Sequence, residues 1–160
     1  MADKLIIEGE TKQEKYNSLF FQIKALTEGE SDLIANLSNC TSAIKSFFGF
    51  YWVGFYLVKN DELILGPFQG TVACTRIQKG KGVCGNSWLN KETIIVDDVD
   101  QFPGHIACST ASKSEIVVPL IKNNEVIAVL DIDDDMYATF DEMDKQSLEK
   151  IADLALNWFS

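Results

Sequence analysis

Apolar positions recur along this chain with two different periods, and the change of period divides it. From Thr11 to Thr27, Leu19, Phe20, Ile23 and Leu26 repeat at helical spacing, and Gly29 stops the run. Leu33, Ile34, Leu37, Cys40 and Ile44 mark a second helical face, which Ser31 can cap. That helix should reach about Phe48 and end at Gly49. Phe50 to Val58 then reads as a strand, being aromatic and β-branched. Asn60-Asp61 predicts a turn, Glu62 to Leu65 the start of a returning strand, and Gly66-Pro67 a break in it. Thr71 to Ile77 predicts a further strand.

Gly80 to Gly85 is expected to be a glycine-rich loop, followed by a short helix around Asn86 to Leu89 and a short strand from Thr93 to Val96. Asp97 to Lys113 has no period and contains Pro103 and Gly104. Ser114 to Leu120 and Val126 to Ile132 predict a hairpin closed at Asn123-Asn124. A last helix should run from about Phe140 to Trp158, with Thr139 and Glu142 as a capping box. Two helices, five or six strands and a closing helix indicate an α+β fold, an antiparallel sheet with helices on one face. The long connections around residues 66–92 and 97–114 should then cover the other face, and loops of that length usually carry function.

The length of 160 residues and a hydrophobic content of 46% fit a single domain over residues 1–160 with a real core. The net charge of -10, from 14 Lys+Arg against 24 Asp+Glu, repels phosphate backbones and anionic bilayers, so nucleic-acid and membrane partners are not expected. No apolar segment is long enough to span a bilayer, and Met1 to Thr11 carries no secretory pattern, so a cytoplasmic setting is expected. Stable structural disulfides are then not expected among Cys40, Cys74, Cys84 and Cys108. Cys40, on the second helical face, reads as a small core hydrophobe.

Three motifs mislead. Gly80 to Gly85 spells G-x-G-x-x-G, but Asn86 to Glu92 is too short for the crossover helix of a dinucleotide site. Asp131, Asp133, Asp135 and Glu142 match calcium-loop positions, yet Met136 stands where that loop needs glycine. His105, the only histidine, has no C-x-x-C pair or second histidine with which to build a zinc site or a hydrolase triad. A solvent-exposed loop histidine is expected, and no metal.

Cys74, Cys84 and Cys108 lie in or beside the long connections, near Glu115, Asp131 and Asp133. Asp131 and Asp133 stand at i and i+2 of one strand, so both carboxylates share a face. The hairpin brings Glu115 towards the same end. Spacing alone leaves open whether this is a pocket or a solvated acidic face.

The ordered set of motifs settles which family the chain resembles. Tyr51-Trp52-Val53-Gly54-Phe55-Tyr56, the Gly66 to Cys74 run and the Gly80 to Gly85 loop come first. Asp97-Asp98-Val99, Phe102-Pro103-Gly104-His105-Ile106-Ala107-Cys108, Ser114 to Leu120 and Leu130-Asp131-Ile132-Asp133 follow. Together they resemble the free methionine-R-sulfoxide reductases, enzymes built on a GAF domain, over almost the whole chain. The resemblance implies a six-stranded antiparallel sheet with helices packed on one face and a ligand pocket on the other. It implies a homodimer without metal or organic cofactor, free L-methionine-(R)-S-oxide as substrate, and thioredoxin as reductant. A non-catalytic GAF sensor of small ligands is the alternative, but a sensor has no need of the cysteine trio.

Within that resemblance, the chemistry of the residues and the position of Cys108, closest in sequence to the acids, suggest roles. Glu115 and Asp133 are candidates for protonating the sulfoxide oxygen, since crowded carboxyls hold protons. Glu115, Asp131 and Asp133 would hold the substrate ammonium, and Trp52 and Tyr56, at i and i+4 on one strand face, would wall its methyl end. Cys108 is the expected attacking thiol and Cys74 the resolving one, while Cys84 could resolve or relay instead. The glycine-rich loop is the expected lid.

Overall fold

A computed structural model describes residues 4–160. Residues 1–3, part of the stretch read for a secretory signal, lie outside the described residues. The elements run α1 (Lys12–Leu26), α2 (Leu33–Phe48), β1 (Trp52–Lys59), β2 (Glu62–Gln69), β3 (Arg76–Gln78), α3 (Gly82–Asn90), β4 (Ile94–Val96), β5 (Ser114–Lys122), β6 (Glu125–Asp134) and α4 (Glu142–Leu156). A 3-10 turn at Val99–Gln101 interrupts the otherwise irregular connection before β5. The strands form one antiparallel sheet in the order β3-β2-β1-β6-β5-β4.

Strand parity decides the two faces, because successive side chains alternate. Val53, Phe55 and Leu57 of β1, Ile116, Val118 and Leu120 of β5, and Ala128, Leu130 and Ile132 of β6 all point to α1, α2 and α4, where they form the main core. Cys40 is fully buried in that core, as its helical position suggested. The opposite parity sends Trp52, Tyr56, Val117 and Val129 to the other face, under α3 and the two long connections.

Helix ends differ from expectation in which side chain does the capping. Asp32, not Ser31, caps α2 by accepting a bond from Ala35 N at 2.8 Å. At α4 the cap is Asp141, paired in a capping box with Asp144; the hydroxyl of Thr139 is taken up in donating to Asp134 Oδ2 at 2.6 Å. Asp144 also accepts from Tyr16 Oη at 2.6 Å and pairs with Lys12 Nζ at 2.7 Å, which locks the first turn of α4 to α1.

Three strand boundaries also move. β1 starts at Trp52 rather than Phe50. β2 runs on through Gly66-Pro67 instead of breaking there. Partners jump from Gly54↔Phe68 to Tyr56↔Leu65, so β2 holds one residue more than β1 across this gap. Such a bulge is where a strand tolerates proline, which cannot donate to the ladder. The predicted Thr71 to Ile77 strand shrinks to Arg76–Gln78, leaving Thr71 to Cys74 free to cross the sheet face.

The indole of Trp52 lies flat along the sheet and needs Gly54 beneath it. A Cβ at Gly54 would sit 2.3 Å from the Trp52 ring and 2.7 Å from Phe68 Cβ. Trp52 stacks on Phe68 with ring centroids 5.3 Å apart and on Tyr56 at 6.0 Å. Gly54→Ala should therefore cost roughly 1–3 kcal/mol through overpacking. That is a fall of about 4–8 °C in Tm for a mid-range 2 kcal/mol. Thermal unfolding measures it, with tryptophan fluorescence reporting the displaced ring; an unchanged Tm and spectrum would contradict this packing.

Candidate active site

Side-chain parity on β1, β5 and β6 builds the floor of a pocket. Glu115 pairs across the sheet with Asp133, which pairs with Trp52, so one row of the pocket face reads Glu115, Asp133, Trp52. The next row reads Val117, Asp131, Gly54, and the third Pro119, Val129, Tyr56. Two carboxylates thus fall in the first row and one beside them, at the end of the hairpin away from its turn. The missing side chain at Gly54 makes room for the Trp52 indole beside Asp131.

The walls come from the connections. α3 begins at Gly82, inside the predicted glycine loop, and carries Cys84 in its first turn. A Cβ at Gly85 would lie 2.4 Å from Gln78 O, so this glycine lets α3 back onto the end of β3. The expected lid is therefore helix, with Gly82, Val83, Cys84 and Gly85 all buried. The G-x-G-x-x-G spelling, set aside on sequence as a dinucleotide site, has glycines that serve a turn and a close contact between elements.

Cys74 and Cys108, 34 residues apart, are joined by a disulfide that draws the two long connections together across the pocket. Cys84 remains a free, buried thiol, its Sγ 3.9 Å from Glu115 Oε1. Trp52 Nε1 donates to Thr71 O at 3.0 Å and Tyr56 Oη to Cys74 O at 2.9 Å, so the two aromatics on the floor also hold the segment that presents Cys74. Of the residues singled out from sequence, Trp52, Tyr56, Cys84, Cys108, Glu115, Asp131 and Asp133 line this cavity, and Cys74 stands just behind its wall, tied to it through Cys108.

His105 was expected to point to solvent. It lies in the pocket wall instead, with 14% of its side chain exposed and Nε2 3.9 Å from Glu115 Oε2. Nothing in the pattern around Pro103 and Gly104 signalled this, because the direction of a loop side chain is set by tertiary contacts. Ser112, also unforeseen, donates its hydroxyl to Asp133 Oδ1 at 2.5 Å.

Electrostatics in the cavity are dominated by unpaired acid. Glu115 and Asp131 are each only 6% exposed, and no lysine or arginine pairs with either among the described residues. Asp131 Oδ1 is buried without any hydrogen-bond partner. Burial pushes Asp131 up to about 6. Burial first, then the charges of its carboxylate neighbours, raises Glu115 well above the usual range, and Asp133 is raised well above it by burial and the charge of Asp131. A negative charge on Asp131 raises the other two, so the three do not ionise together. Burial and the same acids also push the Cys84 thiol up, which keeps it protonated and a poor nucleophile. Cys84, Glu115 and Asp131 place one donor atom each within 4.8 Å of one another, a spacing that suits a positively charged group.

This acid cluster should mark stability. A carboxyl whose pKa is raised on folding stabilises the fold fully below its unfolded value near 3.8 and loses that contribution as pH rises through about 6. For Asp131 the swing is roughly 3 kcal/mol at 1.36 kcal/mol per unit. The ligand-free protein should lose stability between about pH 4 and 7, and Asp131→Asn should flatten that part of the profile. Chemical denaturation across this range tests it; parallel profiles for both proteins would show that Asp131 is not strained by burial.

Comparison with known proteins agrees with the site. Residues 30–157 match the model of the GAF domain. The chain is 54% identical to GAF domain-containing protein A of Dictyostelium discoideum, over 98% of this chain and 100% of that one. It is 47% identical to the free methionine-R-sulfoxide reductase of Saccharomyces cerevisiae, over 89% of this chain and 84% of the yeast protein. The X-ray structure of free methionine-R-sulfoxide reductase from Neisseria meningitidis, in complex with its substrate, superposes with a TM-score of 0.96 at 45% identity, covering 99% of this chain and 96% of that one.

Proposed function

We propose, from the premise that this chain belongs to the GAF-domain family of free methionine-R-sulfoxide reductases, that it reduces free L-methionine-(R)-S-oxide to methionine with Cys108 as the attacking thiol. The observation that carries the proposal is a disulfide set into the wall of a pocket floored by three carboxyls that no lysine or arginine pairs with among the described residues. A generic sensor pocket needs neither feature.

The substrate's groups each have a counterpart. Its ammonium suits Asp131, whose buried Oδ1 lacks a partner. Its carboxylate suits the start of α3, where Lys81 supplies no side-chain cap and the first N–H groups of the helix open on the cavity. Its methyl sulfoxide end suits Trp52 and Tyr56, an aromatic wall.

Glu115 and Asp133, raised well above the carboxylate range, keep protons to give to the sulfoxide oxygen. As that proton arrives, the Cys108 thiolate takes over the oxygen, the carbon–sulfur skeleton leaves as methionine, and Cys108 is left as a sulfenic acid. The Cys74 thiol then displaces water and closes the disulfide. Sulfoxide and two thiols become thioether, disulfide and water, so oxygen and electrons balance. Cys84, protonated beside Glu115, stays outside this pair.

A dithiol reductant such as thioredoxin reopens the bond. Cys74 and Cys108 are only partly covered, and the exposed apolar side chains of Val72 and Ile106 flank them. We further take the chain to act as a single GAF domain over residues 1–160, in the cytoplasm and as a homodimer. Phe21 on α1 and Ile34 on α2, both largely exposed, supply apolar surface for a second copy. No helix among the described residues is long and apolar enough to cross a membrane.

The test is methionine release from free and N-acetylated methionine-R-sulfoxide with a dithiol reductant. The free amino acid should be reduced at least tenfold faster, because acetylation removes the charge that Asp131 awaits; equal rates would sink the proposal. In single turnover Cys108→Ser should release nothing, whereas Cys74→Ser and Cys84→Ser should each release about one equivalent.

The carboxylates should divide by kinetic parameter. Asp131→Asn should mainly raise KM, since it contributes to ground and transition states alike. Glu115→Gln or Asp133→Asn should mainly lower kcat, by roughly a hundredfold. Steady-state kinetics on folded variants decides; near-native kcat in all three would mean that the carboxyls supply no proton.

A further inference from the structure

Resting on that reading, we infer that His105 is a positioning residue for the reaction, returning a proton from solvent to Glu115 after each turnover. The need follows from the burial of the donor. Glu115 is 6% exposed and lies behind α3, so once it has given its proton it has little direct contact with water. Among the carboxyl group's neighbours, Cys84 and Asp131 are themselves buried and sealed in with it. Asp133, opposite Glu115 across the sheet, is half-buried but is held by the Ser112 hydroxyl. His105 reaches Glu115 from the outer loop, with Nε2 3.9 Å from Oε2 and 14% of its side chain exposed.

The loop around His105 is a thin wall. Gln101, Pro103, Gly104, Ile106 and Ala107 are all exposed, so the ring stands between the carboxyl on one side and bulk water on the other. The 3.9 Å gap is just beyond direct hydrogen bonding, and contacts of this kind commonly tighten when substrate enters. Burial lowers the histidine pKa, while the charge of Asp100 opposes that shift. The imidazole is therefore mostly neutral near pH 7 and ready to carry a proton rather than hold one. An imidazolium formed by taking a proton from solvent passes it to the Glu115 carboxylate and returns to the neutral ring. The ring is thus regenerated, and the one solvent proton delivered offsets the proton that Cys108 released on becoming a thiolate.

Position along the chain adds a second consequence. His105 precedes Cys108 by three residues, in the segment that the disulfide ties to Cys74. The thiol that attacks and the ring that restores the donor's proton thus ride on one loop. Their geometry at Glu115 is set together.

The test replaces His105 with Gln and with Ala and measures steady-state kcat and KM on free methionine-R-sulfoxide, beside single-turnover methionine release from enzyme pre-equilibrated at pH 7. With Glu115 already protonated, the first turnover should stay within about twofold of wild type. Steady-state kcat should fall about tenfold, KM should change less than twofold, and the loss should depend on buffer concentration. Imidazole should restore His105→Ala; as this is the only histidine, rescue reports on one position. In a Glu115→Gln background the His105 change should cost nothing further. Unchanged kcat in both variants, a loss confined to KM, buffer-independent loss, or full additivity with Glu115→Gln would each overturn the inference. Failure of wild type itself to reduce the free sulfoxide would instead overturn the reading it rests on.

Discussion

Burying three carboxyl groups on one sheet face is the constraint around which the rest of this molecule is arranged. An ionised carboxylate taken out of water without a partner is costly, and the usual escape is protonation. Glu115, Asp131 and Asp133 share a neighbourhood with no paired lysine or arginine among the described residues, and Asp131 Oδ1 has no hydrogen bond at all. The opposite face compensates: twenty-three buried apolar side chains pack α1, α2 and α4 against the same strands. The strands that carry the acids are thus held from behind by a core that does not depend on them. That separation, one parity for stability and the other for the pocket, lets an unfavourable cluster persist.

The same parity explains what was legible beforehand. The shared face of Asp131 and Asp133 follows from their spacing in a strand, and the hairpin turn at Asn123-Asn124 carries Glu115 opposite Asp133. Both central turn residues have positive φ, 51° and 63°, a conformation asparagine tolerates well. Two-residue periodicity also placed Trp52 and Tyr56 together. Where sequence fell short, tertiary contacts decide. Glycines at 80, 82 and 85 read as a flexible loop, but all three residues of its last half are already helical, since Gly85 answers a close approach to Gln78 that no local pattern announces. Gly66-Pro67 read as a break because the bulge that accommodates proline is a property of the strand pair. His105 read as solvent-facing because a loop's inward side chains leave no period. The candidate caps Ser31 and Thr139 lost to the aspartates one and two residues later, Asp32 and Asp141, a shift within the ordinary uncertainty of helix ends.

The cysteines show how environment separates residues of one type. Cys40 and Cys84 are both buried, and burial pushes both thiols up. Cys40 sits among hydrocarbon, whereas Cys84 faces the acids, whose charges raise it further. Neither environment favours a thiolate. Cys74 and Cys108 stand at the pocket edge in chain segments without regular structure, where two sulfurs can meet and a reductant can reach them. Under the proposed reading, redox chemistry on this scaffold belongs to the loops, and the helix-borne thiol is a neutral neighbour to Glu115.

Under the proposed reading, the cluster also explains how one pocket can bind a cation and donate a proton without the two tasks interfering. In the empty site the charge on Asp131 helps hold the proton on Glu115 and Asp133, since a second negative charge nearby is repelled. A substrate ammonium docking at Asp131 cancels much of that repulsion. The proton on the neighbouring carboxyl is then held less tightly, at the moment when a sulfoxide oxygen has arrived to take it. The free amino group would thus act twice, as the handle by which the substrate is held and as the charge that turns a reluctant acid into a useful one. A substrate lacking that charge would forfeit both effects, which is why discrimination should extend to the chemical step as well as to binding.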